Sequence, residues 1–259
     1  MSATTFEACL NRFHSADPSV RRESAEALVA FDQSQSVAPL IEGLKDENAG
    51  VQEAAMAALI RIGGRRVVSS LLPLLRQDAR TRNLAVEVLE QTGATGFDLL
   101  LPLVKHDDAN LRKFIVETLG KLGDSRAIPA LSATLNDREP NVRSSAAEAL
   151  GRLRAREAVP QLLGLLNDDE WVVFSVIEAL GQIADPAALP ALMAVLKDGS
   201  EPVRHAVIEA FGNFPDSAAC VKPMLELVPS ADQDLRDLLT KNIITGRCQR
   251  PGSQIHGQS

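Results

Sequence analysis

The chain has 259 residues, of which 45% are hydrophobic and 24% charged, with 3% aromatics and no tyrosine. The apolar mass is therefore Leu, Ala, Val and Ile, enough for a sizeable core and better suited to helices than to β-sandwiches. A formal net charge of −7 argues against the basic surface that nucleic-acid binding relies on, and no apolar run approaches the roughly 20 residues of a membrane helix.

In chain order the first predicted element is a lone helix over about residues 5–14, with Phe6, Leu10 and Phe13 on one face. After it the chain repeats. "SVRRESAEALVAF" at 19, "NVRSSAAEALGRL" at 141 and "PVRHAVIEAFGNF" at 202 share a branched residue, an Arg, then Glu-Ala and a large apolar residue. Taking the branched position as an anchor gives Val20, Val51, Thr81, Leu111, Val142, Val172, Val203 and Leu235, at successive steps of 31, 30, 30, 31, 30, 31 and 32 residues. Eight residues after each anchor stand Leu28, Leu59, Leu89, Leu119, Leu150, Leu180, Phe211 and Ile243. A fixed period of this size signals a solenoid.

Within each repeat the apolar positions fall on one face of a helix, here termed A. An Asp precedes most anchors (Asp17, Asp46, Asp78, Asp137, Asp169, Asp198, Asp232), where a carboxylate can cap orphan N–H groups. Gly63, Gly93 and Gly123 are the expected stops of three A helices. A second helix, B, follows each A, and its first turn is expected to hold Pro39, Pro129, Pro160, Pro190 or Pro223, where the missing N–H costs nothing. This predicts eight A helices joined by seven B helices, a single solenoid over residues 1–245. The polar, Gly/Pro-containing tail at 246–259 is expected to be disordered.

The pattern Asp-x-x-x-x-Val-Arg-x-x-Ala-x-x-Ala-Leu-Gly-x-Leu-Gly-Asp-x-x-Ala-Val-Pro-x-Leu resembles the HEAT-like repeats named after phycobilisome lyases, over about residues 5–245 and most clearly over 107–214. The resemblance implies an all-α, right-handed superhelix of about eight helix pairs whose concave face is lined by the B helices. It implies a binding scaffold more strongly than any single activity.

Candidate chemistry is sparse. The column Glu26, Glu87, Glu117, Glu148, Glu178 and Glu209 repeats one environment six times, whereas an acid–base pair needs environments that separate the two pKa values. The column Arg21, Arg82, Arg112, Arg143, Arg204 and Arg236 is expected to bridge to the Asp of an adjacent repeat. Cys9, Cys220 and Cys248 form no CxxC pair, and the N-terminal stretch shows no secretory pattern, so a reducing, cytoplasmic setting is expected. None of His14, His106, His205 and His256 is followed by Glu, so the His-Glu iron ligands of deoxyhypusine hydroxylase, an enzyme built from related repeats, are missing. His106 beside Asp107 and Asp108 reads as a solvated turn. No cofactor or metal is expected, and the alternative implied by the resemblance is a bilin-lyase-type subunit.

The sixth repeat breaks the pattern. Around the anchor the siblings carry small or polar residues, whereas "DDEWVVFSVIEAL" carries Trp171, Val173 and Phe174. Reading those columns as facing solvent or the inter-repeat turn predicts an apolar patch that binds a protein or peptide, is covered by the tail or a neighbouring turn, or mediates self-association. Candidate contacts on the B-helix face are Ser132, Thr134, Gln161, Gly164 and Met193, which interrupt its apolar pattern. The expected protein is a non-enzymatic scaffold or adaptor with a protein partner, no nucleic acid and no membrane.

Overall fold

The computed structural model describes residues 5–214, 221–222, 224–226, 228–231 and 233–244. Cys220, Pro223, Asp232, Cys248, His256 and the 246–259 tail lie outside them. Among the described residues all regular structure is helical, and the chain divides into two compact units, Met1–Leu122 and Gly123–Ser259. No described helix is long and apolar enough to cross a membrane.

In the first unit, α1 (Phe6–Phe13) is the lone leading helix and starts on Thr5, whose side chain accepts from the Ala8 amide. The A helices are α2 (Pro18–Leu28), α4 (Ala49–Ile62), α6 (Ala79–Thr92) and α8 (Ala109–Leu122); the B helices are α3 (Gln33–Gly43), α5 (Gly64–Leu71) and α7 (Phe97–Leu100). Asp17 and Asp78 cap α2 and α6 as anticipated, and Asn48 caps α4. In the second unit the B helices are α9 (Ile128–Thr134), α11 (Val159–Leu163) and α13 (Leu189–Asp198). The A helices there are α10 (Pro140–Arg152), α12 (Glu170–Ile183), α14 (Glu201–Phe211) and α15 (Gln233–Ile244). All eight predicted A helices are present.

Proline placement in the B helices differs from expectation at one point and extends it at two others. Pro129, Pro160 and Pro190 sit at the start of α9, α11 and α13. Pro39 lies inside α3, because Asp32 caps that helix a turn earlier than the sequence pattern suggests. In α5 and α7 a later proline, Pro73 or Pro102, cannot donate the i→i−4 bond, and each helix tightens into a 3₁₀ turn, Leu72–Arg76 or Leu101–Lys105.

The second apolar column is the core: Leu28, Leu59, Leu89, Leu119, Leu150, Leu180 and Phe211 are all fully buried. The side chain of Ile243, its eighth member, falls outside the described ones. Of the three predicted stop glycines, Gly63 (φ 57°) and Gly123 (φ 71°) take left-handed backbone. Gly93 does not (φ −62°); an added Cβ there would press at 3.2 Å on Leu100 and on Leu122, so packing is what its missing side chain serves. Smallness also sets how the A helices pack. Gly151 and Gly181 let α10 approach α12 and α12 approach α14 so closely that an added Cβ would stand 2.8 Å from Ala179 or Ala210.

Candidate functional site

The column that follows the anchor sets the geometry of the site. Two of its arginines make the bridge expected of the column, each to an Asp of the next repeat, and they make it from largely buried positions rather than from solvent. Arg21, on α2, keeps only 12% of its side chain exposed. Its Nε and Nη2 donate to the two carboxylate oxygens of Asp46 at 2.8 and 2.9 Å, and its Nη1 donates to the carbonyls of Ser15 and Ala16 at 2.9 and 3.1 Å. Arg143, on α10, repeats the arrangement: Nε and Nη2 reach Asp168 at 2.7 and 2.5 Å, and Nη1 reaches the carbonyl of Asp137 at 2.8 Å. In both cases one guanidinium satisfies a carboxylate bidentately and ties down the turn before its own helix. These bonds hold the carboxyls of Asp46 and Asp168 below the usual carboxylate range.

Other members of the column do the second half of this job. Gln52 donates to the carbonyl of Asp46 at 2.7 Å, Arg112 to those of His106 and Asp107 at 2.8 and 2.9 Å, and Arg236 to that of Ala231 at 3.1 Å. Arg82 stacks over the ring of Phe114, 4.7 Å from its centroid.

Repeat six places Val173 here, and Val173 is buried. The predicted trio is therefore not one exposed patch. Successive residues rotate by about 100° around a helix, so Trp171 and Val173 point to nearly opposite sides while Phe174 lies roughly one turn from Trp171. Trp171 is 51% exposed; among the described residues only it and Leu225 are large hydrophobics left so open. Phe174 is half-buried and borders a cavity of about 340 Å3 with Glu178, Ala206 and Glu209 between α12 and α14. Val173 borders a different cavity, of about 380 Å3, between the start of α12 and the end of α13. Its polar lining comes from Asn167, Asp168, Glu170 and Asp198, and its apolar lining from Val173, Leu166, Ala194, Val195 and Val203.

The B-face candidates differ in exposure. Thr134 is buried and its hydroxyl donates to the Ala130 carbonyl at 2.9 Å, so it faces the helix rather than a partner. Gln161 and Gly164 are exposed, and Ser132 and Met193 are half-buried. The carboxylates of the glutamate column are engaged locally: Glu26 with Arg22, Glu117 with Lys113, Glu178 with the amide of Gln182. His106 accepts the Asp108 amide through Nδ1 at 3.0 Å, a turn contact. Among the described residues no three His, Cys, Asp or Glu side chains gather as metal ligands. Cys9 is buried against the Ser24 carbonyl, and burial pushes its thiol pKa up. The sequence offered Asp198 only as a helix cap, whereas α14 starts on Ser200, and it did not single out Asn167 or Glu170. The signal for Asp198 was the Arg-to-Asp spacing of 25 residues, which Arg21–Asp46 and Arg143–Asp168 share and which carries Val173 to Asp198.

Comparison with known proteins agrees with this architecture. The sequence model of the family described as HEAT repeats matches residues 6–90, 68–138, 97–175, 128–212 and 174–242. No curated protein sequence matches the chain. Among solved structures, the chain is similar to one in the complex of Kap95p with RanGDP (15% identity, TM-score 0.58, covering 93% of this chain and 41% of that one). It is similar also to YibA of E. coli (19% identity, TM-score 0.51, covering 94% and 92%). The CpcE–CpcF complex of phycocyanin lyase from Nostoc sp. PCC7120 matches at 22% identity and a TM-score of 0.42, covering 92% and 96%.

Proposed function

The chain belongs to the HEAT-repeat family, and from that premise we propose that it is a non-enzymatic scaffold that binds a protein partner through the sixth repeat. The observation that carries the reading is Trp171. It stands half-exposed in the first turn of α12, at a position where the siblings carry Ser19, Gly50, Arg80, Asn110, Asn141, Pro202 and Asp234. An indole buries a large area for little lost rotamer freedom, which is why tryptophan anchors so many interfaces. Kap95p, which binds RanGDP, offers a precedent for protein recognition on this fold.

The test uses the only tryptophan of the chain as its own reporter. Captured partner is compared between the native protein and Trp171→Asn, and the emission of Trp171 is followed as purified partner is added. Loss of capture in the variant together with a blue shift in the native protein supports the reading. Equal capture, or emission that does not move at saturating partner, overturns it. A mass measurement across protein concentration identifies self-association, and a visible-absorbance titration with free bilin separates a lyase-type subunit from a scaffold.

A further inference from the structure

The cavity beside Val173 has the wall pattern of an arginine site from which the arginine has been removed. In repeats one and five, a guanidinium lies between a carboxylate 25 residues ahead and carbonyls five and six residues behind: Asp46 with Ser15 and Ala16, Asp168 with Asp137 and Arg138. Counting the same distances from Val173 reaches Asp198 ahead and Asn167 and Asp168 behind. All three line the one cavity that Val173 borders. The valine ends at Cγ and carries no donor with which to meet these groups.

Of the three carboxylates that line the cavity, one is neutralised from within the chain and two are not. Asp168 is held by Arg143. Glu170 accepts a hydrogen bond from the Ser200 hydroxyl at 2.9 Å, and among the described residues neither Glu170 nor Asp198 pairs with a cation. Leu166, Ala194, Val195 and Val203 supply an apolar wall of the kind that the methylenes of a long side chain cover. At about 380 Å3 the space is ample for one extended side chain.

We propose that this cavity receives an arginine side chain from a partner protein, whose guanidinium takes the place that Arg21 and Arg143 fill in their own repeats. The choice of arginine over lysine follows from the acceptors. In the sibling sites the acceptors are a carboxylate plus backbone carbonyls, a set that suits a planar fork with five donors, whereas an ammonium is a point charge. The proposal rests on the scaffold reading above and sharpens it: Trp171 supplies apolar area on one side of α12, and on the side that Val173 faces the cavity supplies selection for a basic residue.

The experiment titrates the full-length, 15N-labelled chain with N-acetyl-arginine amide and, separately, with the neutral isostere N-acetyl-citrulline amide. Saturable shifts confined to amides of residues 166–173 and 194–203, about tenfold weaker with citrulline, are expected. Asp198→Asn, at an exposed position, should abolish them without loss of helicity. Val173→Arg supplies the guanidinium in cis, so it should bind no arginine and melt at a higher temperature than the native chain. Equal binding of the two amides, or unchanged arginine binding in Asp198→Asn, overturns the proposal. So does undiminished arginine binding by a folded Val173→Arg. The two readings fail separately. A partner lost with Trp171→Asn but kept with Asp198→Asn sinks the arginine site and leaves the scaffold. Arginine binding without any partner that depends on Trp171 does the reverse.

Discussion

Two residues at the ends of A helices occupy backbone that an L side chain resists. Arg154 and Ala184 have φ of 50° and 52°, where their sibling Gly63 has 57° and Gly123 has 71°. Ala184 ends α12 in the left-handed conformation, with its N–H bonded to the Leu180 carbonyl at 2.9 Å. A Cβ there costs about 1 kcal/mol or more, partly offset by the extra unfolded-state freedom of a glycine. Ala184→Gly should therefore raise the unfolding free energy by roughly 0.5–1 kcal/mol, read as an increased urea midpoint with unchanged slope. A lower midpoint means that the turn draws on packing of the Ala184 methyl. The carboxyl of Asp168 gives a prediction of a different kind. Its hydrogen bond from Arg143 lowers its pKa in the folded chain. A group depressed in this way stabilises fully above its unfolded value, near 4, and loses that contribution as the pH falls through the folded value. Asp168→Asn should cost about 1–3 kcal/mol at neutral pH. It should also flatten the loss of stability below about pH 4, as measured by denaturant midpoints over a pH series; an unchanged acid limb would show that the pair contributes nothing there.

Between elements, the decisive contacts are made by residues with no side chain to offer. Alanine is the better helix former by about 1 kcal/mol, so on propensity alone Gly181→Ala should stabilise α12. The new methyl would meet Ala210 Cβ at 2.8 Å and its Cα at 2.9 Å, backbone that cannot rotate away. Overpacking of this sort costs roughly 1–3 kcal/mol, so a net fall in melting temperature is expected, and a rise would mean that α12 and α14 separate at little cost. This is also where the limits of sequence reading lie. The eight A helices and their buried leucine column follow directly from period and spacing, and Asp17 and Asp78 are caps for the reason anticipated. The Arg-to-Asp bridge was legible and Arg21 and Arg143 make it, but the burial that comes with it was not, because a buried arginine in an ion pair and a solvated one are the same letter. Reading that column as solvent-facing put Val173 on the surface with Trp171, when burial of Arg21 and Arg143 places it inside. Thr134 misleads for a related reason: its hydroxyl is satisfied by its own helix, which apolar periodicity cannot register.

At the scale of the whole molecule, the net charge of −7 adds a long-range component to whatever the sixth repeat binds. A field of one sign raises the encounter rate with a partner of the other sign and has little hold on the complex once apolar and hydrogen-bonded contacts have closed. An arginine-bearing partner would thus be drawn in by the general field and then fixed by Asp198 and the walls of its cavity. Salt separates the two stages, since the Debye length falls from tens of ångströms at low ionic strength to below about 10 Å at physiological strength. Stopped-flow mixing with Trp171 emission as the signal should show the association rate falling by roughly an order of magnitude between low salt and about 0.3 M. The dissociation rate should change much less. Asp198→Asn should act on the opposite arm, speeding dissociation while leaving the salt dependence of association nearly intact, because removing one of 34 acidic residues barely alters the field. An association rate indifferent to salt would remove electrostatic steering from the account. A mutant effect confined to the association rate would make Asp198 part of the general field rather than of a fitted site.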